Sequence, residues 1–165
     1  MLGAAMLPAM QTMADHGHTV LAFESAATVE KSQEILADWG GAGETAMWWQ
    51  LAIDVPFLVV YALLLAGLCT AVARRALAVG RLRLARAAVL FAWLGPLAAA
   101  SDLAQNVSLA LVLSGQQTQP WPMISAVAAR VTTSLAVISV LFAAIGFLLT
   151  RGVPAGEPAL SGEAD

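Results

Sequence analysis

The sequence has few charged residues and a single cysteine. Charged side chains make up 12% of the 165 residues and hydrophobic ones 59%, whereas soluble domains are about a quarter charged. This shortage argues against a soluble fold and against a basic surface for nucleic acid. With Cys69 alone, neither an intrachain disulfide nor a Cys/His zinc cluster can form. The sequence also lacks a Walker loop, a dinucleotide fingerprint, a GxSxG motif and an HExxH motif, so no cofactor is predicted.

Long apolar runs fill most of the chain. A membrane-spanning helix needs about 20 mostly apolar residues. The ranges that meet this requirement are 46–72, 84–113 and 122–150. The run 2–14 is shorter, and we favour a first span truncated at its cytoplasmic end over a short span that thins the bilayer or a surface anchor. The prediction is an all-α integral membrane bundle of four transmembrane helices in one domain, 1–151, followed by a disordered cytoplasmic tail over 152–165.

Basic residues set the predicted orientation. The segment between the second and third spans carries five arginines and no acid, and Arg151 follows the last span. The five are Arg74, Arg75, Arg81, Arg83 and Arg86. Because cytoplasmic segments are enriched in Lys and Arg, we predict that this segment and both termini are cytoplasmic. The membrane is predicted to be the plasma membrane of a bacterium, crossed several times.

The acidic segment 15–46 is predicted to lie on the outer side of that membrane. It has six acidic residues and one lysine. Within it, residues 25–39 are predicted to form an amphipathic extracytoplasmic helix between the first and second spans. Ser25 or Thr28 would serve as its N-cap, and Gly40 would end it.

Polar side chains occur at similar depths in three of the predicted spans. Counted from the outer helix ends at 1.5 Å per residue, they lie roughly 10–16 Å deep. They are Asp54, Asp102, Asn106 and Arg130. An ionisable group at the centre of a membrane helix costs about 2.5–3.5 kcal/mol, so we expect Arg130 to bridge Asp54 and Asp102. Tyr61 shares a helix face with Asp54.

These residues, with one acid from the outer segment, form the predicted site. The catalytic candidates are Asp54 and Asp102, and the ligand-binding candidates are Arg130, Asn106, Tyr61 and Glu24. In one interpretation Arg130 and Asn106 hold a polar head group, an aspartate handles a proton, and Glu24 covers the site. In the other the cluster is structural, because buried ion pairs and asparagines also join helices in membrane bundles.

Four short motifs lie between roughly residues 20 and 110. They are Phe23-Glu24-x-Ala26, Trp39-Gly40, Asp54-x-x-Phe57-x-x-x-Tyr61 and Asp102-x-x-x-Asn106. Together they resemble a family of small bacterial four-helix membrane proteins with no assigned activity. The resemblance implies the four-helix architecture and a fuller first helix. It also implies an acid just before the asparagine, where this chain has Gln105.

The residues predict a membrane protein that binds or processes a lipid-like or amphipathic ligand, and whether it is an enzyme stays open. The alternative is a non-enzymatic accessory or assembly subunit of a membrane complex. The predicted partners are the bilayer, such a ligand, and further copies of the chain or a larger complex, without nucleic acid. Two histidines at i, i+2, His16 and His18, lack a third anchored ligand, so no metal site is predicted.

Overall fold

The structure, a computed structural model, describes residues 11, 15, 17–116 and 118–151. The secondary structure in these ranges is helical, with no strand. Its elements are α1 (Val20–Glu24), α2 (Val29–Ala78), α3 (Leu82–Ala92), α4 (Leu94–Leu113) and α5 (Trp121–Leu149). Apart from residue 11, the predicted first span, 2–14, lies outside the described residues, and so does the predicted tail, 152–165.

Three helical stretches of the described chain are long and apolar enough to cross a membrane. They are α2, the pair α3 and α4 taken together, and α5. Their outer surfaces are apolar as well: Leu63 is 69% exposed and Leu90 is 70% exposed. Exposed leucines at this density suit contact with lipid tails better than contact with water. The predicted all-helical fold is confirmed for the described residues, and these three stretches indicate a membrane protein.

A break at Gly40 divides α2 into two parts. Gly40 has φ 55° and ψ −168°, a backbone conformation that glycine adopts far more readily than other residues. Residues 29–39 form a short outer arm, which Thr28 begins by accepting a hydrogen bond from the Lys31 amide at 3.3 Å. The helix resumes at once after Gly40, so the helix that contains the predicted span 46–72 begins earlier than predicted.

The range predicted as one helix, 84–113, is interrupted at Trp93. Pro96 has no amide hydrogen, and its ring crowds the carbonyl group of Ala92 one turn earlier. The backbone forms a tighter turn there, in which the Trp93 amide donates a hydrogen bond to the carbonyl oxygen of Leu90, three residues earlier, at 3.2 Å. The interruption therefore has a local cause in the sequence.

The backbones of α4 and α2 approach each other closely at Gly95. A Cβ added to Gly95 would lie 2.6 Å from the Ala62 carbonyl oxygen and 3.2 Å from the Ala66 nitrogen. Small residues permit such backbone contact between membrane helices. This contact sets the distance between the two helices that carry most of the predicted polar site.

Trp39 anchors the outer arm. It is 1% exposed, its ring lies 5.1 Å from the Phe23 ring, and its Nε1 donates to the His18 carbonyl oxygen at 2.8 Å. Residues 21 positions apart in sequence are thereby joined. The arm and α1 together form a cap at one end of the bundle.

Trp39→Phe is expected to lower the free energy of unfolding by about 1–2 kcal/mol, because the His18 carbonyl loses its donor and the smaller ring leaves a void. Thermal unfolding in detergent micelles, followed by circular dichroism, measures the change. The matched control is Trp49→Phe, at a residue that is 65% exposed. Equal effects of the two substitutions would contradict the anchoring role of Trp39.

Candidate functional site

Two hydrogen bonds join the polar faces of α2 and α4. The Asn106 Nδ2 donates to Asp54 Oδ2 at 2.6 Å, and the Tyr61 hydroxyl donates to Asp102 Oδ2 at 3.1 Å. The pairing order is reversed between the two helices, so they run antiparallel. The structure thus brings together three of the side chains predicted at similar depths, Asp54, Asp102 and Asn106, and adds Tyr61 to them.

Helical spacing explains why each pair shares a face. Asp102 and Asn106 are four residues apart on α4, and Asp54 and Tyr61 are seven apart on α2, which are one and two turns. The Asn106 side chain is 9% exposed, so the pairing occurs inside the bundle. The two hydrogen bonds therefore hold the facing polar stripes in register.

A cavity of about 150 Å³ lies beside this pairing, between α1, α2, α4 and α5. Three carboxyl groups line it, and we call it the carboxylate cavity. Its principal polar residues are Glu24, Gln50, Asp54, Asp102, Gln105 and Asn106. No lysine, arginine or histidine of the described chain contributes to its wall. The cavity is therefore suited to a positively charged or hydrogen-bond-donating group.

Glu24 reaches the cavity from α1. Burial, and after it the charges of Asp102 and Asp54, raises the pKa of Glu24 from 4.5 to about 7. A hydrogen bond from Gln105 acts in the opposite direction and has the smaller effect. The α1 backbone is held in place because the Ser125 hydroxyl donates to the Glu24 carbonyl oxygen at 3.3 Å. Glu24 thus changes charge near neutral pH at the wall of the cavity.

Arg130 does not bridge Asp54 and Asp102, and that expectation was wrong. Within the described ranges it forms no ion pair, and its side chain is exposed. It lines a separate cleft of about 290 Å³ together with Ser25, Thr133 and Ser134. We call this cleft the arginine cleft.

The helical rotation of α5 explains the position of Arg130. The Thr132 hydroxyl donates to the Ala98 carbonyl at 3.3 Å, and the Ser101 hydroxyl donates to the Ala128 carbonyl at 3.1 Å. Ala128 and Thr132 therefore face α4. Arg130 lies two residues from each, roughly 200° around the helix, and so points away from the aspartates.

Four polar residues of the cavity wall were not among the predicted site residues: Gln50, Gln105, Thr132 and Thr133. Gln105 is the most buried of them, at 4% exposed. All four are polar residues in apolar helices, and this is the signal that would have identified them.

A second polar group lies on the outer cap. His18, Glu34 and Asp38 present ligand atoms within 4.8 Å of one another, and His18 Nε2 lies 2.9 Å from Asp38 Oδ2. These residue types suit a divalent metal ion. However, the Lys31 ammonium lies 2.7 Å from the Glu34 carboxylate, and this hydrogen bond and charge lower the pKa of Glu34. His16 lies outside the described residues.

No family model, curated protein or solved structure matches this chain. The resemblance to small four-helix membrane proteins accordingly depends on the short motifs alone. Function has to be argued from the chemistry of the site rather than from the fold.

Proposed function

We propose that this chain is a multi-pass membrane protein that binds the cationic group of an amphipathic, lipid-like ligand in the carboxylate cavity. The observation that carries the proposal is the wall of that cavity, which has three carboxyl groups and, among the described residues, no basic side chain. A bound cation would compensate these charges where water is scarce. Asp54 and Asp102 remain the candidates for proton transfer, should the ligand also react.

The size of the cavity limits what enters it. Sites that enclose a drug-sized molecule measure about 300–1,000 Å³, and the carboxylate cavity measures about 150 Å³. It can therefore accommodate a head group but not a whole lipid. Leu21, which is 69% exposed, lies at its wall and offers an apolar surface to the remainder of the ligand.

The proposal includes the orientation and the four-helix architecture. Exposed arginines at the end of α2 and the start of α3, with Arg81 between the two helices, lie far along the chain from Asp54 and support a cytoplasmic position for that end. The acidic outer arm lies at the opposite end of α2 and supports an extracytoplasmic cap. The carboxylate cavity would then open in the outer half of a bacterial plasma membrane, with both termini in the cytoplasm.

Dodecylammonium is the probe that tests the proposed function. Titrated calorimetrically into the protein in maltoside micelles, it is expected to bind about tenfold more tightly than dodecanol, as one favourable charge pair implies. Asp102→Asn should remove this preference while leaving an oxygen to accept the Tyr61 hydroxyl. Asp38→Asn, on the outer arm, is the matched control and should retain it.

A specific observation also favours the alternative, an assembly subunit without a ligand. The two hydrogen bonds between α2 and α4 would by themselves fix helix register in such a protein. In that case dodecylammonium and dodecanol would bind equally to the wild type and to Asp102→Asn. That result would overturn the proposed ligand site.

A further inference from the structure

The carboxylate cavity and the arginine cleft are neighbours with a common wall. Leu21, Glu24, Ala129 and Thr133 line both of them. Groups bound in the two spaces would therefore be separated only by these side chains.

The two spaces differ in their other charged groups, and Glu24 belongs to the walls of both. On one side of the common wall lie Asp54 and Asp102, and on the other lies Arg130. Arg130 forms no ion pair and donates no side-chain hydrogen bond to any described residue. Its guanidinium group is therefore available to an external anion, and its planar donors match a phosphate especially well.

Exposed apolar side chains also lie close to Arg130. Val127 and Val131 flank it on α5 and are 51% and 41% exposed, and Leu21 lies across the cleft. The hydrocarbon chain of a ligand whose anionic group binds Arg130 would therefore lie on these side chains. This arrangement suits a lipid whose phosphate links its chains to its head group.

We infer that the ligand head group is zwitterionic, with its ammonium group in the carboxylate cavity and its phosphate group on Arg130 in the arginine cleft. The inference rests on the proposed function, which it extends by naming the ligand class. Arg130 and Thr133 are one turn apart on α5, about 5–6 Å between their Cβ atoms. Thr133 lines both spaces, so the arginine cleft adjoins the carboxylate cavity within one helical turn of Arg130.

The same zwitterion occurs on a membrane lipid and on a small soluble ester. The apolar flanks of Arg130 favour a chain-bearing ligand, and the two sources are separated by comparing probes with and without a chain. Dodecylphosphocholine carries both charges and a chain, whereas phosphocholine carries no chain. Dodecyltrimethylammonium has the cation alone, and dodecyl phosphate has the anion alone.

The experiment is a calorimetric titration of each probe into the full chain in maltoside micelles, which contain no charged group. Dodecylphosphocholine is expected to bind about tenfold more tightly than dodecyltrimethylammonium, as one additional charge-assisted pair implies. Arg130→Gln should abolish this advantage and leave the affinity for dodecyltrimethylammonium unchanged. Arg130→Lys should restore part of it, and the matched control Arg74→Gln should have no effect.

The outcomes separate the inference from the proposed function. If dodecyltrimethylammonium binds in a manner sensitive to Asp102→Asn but the phosphate adds nothing, the zwitterionic head group is wrong and the cation site stands. If neither dodecyltrimethylammonium nor dodecylphosphocholine binds, the zwitterionic head group and the cation site are both wrong. Binding of phosphocholine as tight as that of dodecylphosphocholine would overturn the lipid source and leave the zwitterionic chemistry supported.

Discussion

Gly95→Ala is expected to lower the free energy of unfolding by about 1–3 kcal/mol, and Gly95→Leu by more. The added Cβ would lie 2.6 Å from the Ala62 carbonyl oxygen. This oxygen belongs to the backbone of α2 and cannot rotate away, so α4 must move outward. The displacement would also stretch the hydrogen bonds that join Asp54 to Asn106 and Tyr61 to Asp102.

The matched control is Gly67→Ala, in the same helix that Gly95 contacts. A Cβ at Gly67 would meet no atom within 4 Å, and alanine is the better helix former by about 1 kcal/mol. Equilibrium unfolding in mixed micelles compares the two. If Gly95→Ala proved as stable as Gly67→Ala, the close contact between α2 and α4 would be incorrect.

Glu24→Gln is expected to stabilise the protein at pH 8 by about 2 kcal/mol and to change it little at pH 5. The pKa of Glu24 is raised to about 7, mainly by burial and then by the charges of Asp102 and Asp54. The folded chain thus holds this proton more tightly than the unfolded chain. The stability of the wild type should fall as pH rises from about 4.5 to 7 and then level off.

Glutamine imitates the neutral acid, so the variant should lack this decline. The expected magnitude is smaller than the full pKa shift implies, because Glu24 retains some contact with solvent. Thermal unfolding at several pH values between 5 and 8 measures the effect, with Glu30→Gln on the exposed face of the outer arm as control. A stability difference between Glu24→Gln and wild type that is the same at pH 5 and pH 8 would contradict the prediction.

Local sequence accounts for several features of the fold. The apolar composition predicts membrane helices because only a chain with few charges can be placed in hydrocarbon. Gly40 marks the break in α2, and Pro96 explains the interruption at Trp93. Each depends on the conformational limits of one residue, and these limits are the same in any fold.

The position of Arg130 does not follow from local sequence. Its distance from the end of α5 predicts a depth level with Asp54 and Asp102. Depth says nothing about which side of α5 faces α4, and the hydrogen bond of Thr132 with the Ala98 carbonyl shows that Arg130 lies on another side. The predicted ion pair failed because rotation about a helix axis is decided by packing against neighbouring helices.

The sequence by itself determined that membrane-length helices form and that polar residues occur at comparable depths along them. Both properties follow from composition and from the constant rise of an α-helix. Only the tertiary structure decided which faces meet, because close contacts such as that of Gly95 with Ala62 select one helix rotation among many. That selection placed Glu24, Asp54 and Asp102 around one cavity and left Arg130 outside it. The few charged residues of the membrane helices are thus separated in space, with Asp54 and Asp102 in the carboxylate cavity and Arg130 in the arginine cleft.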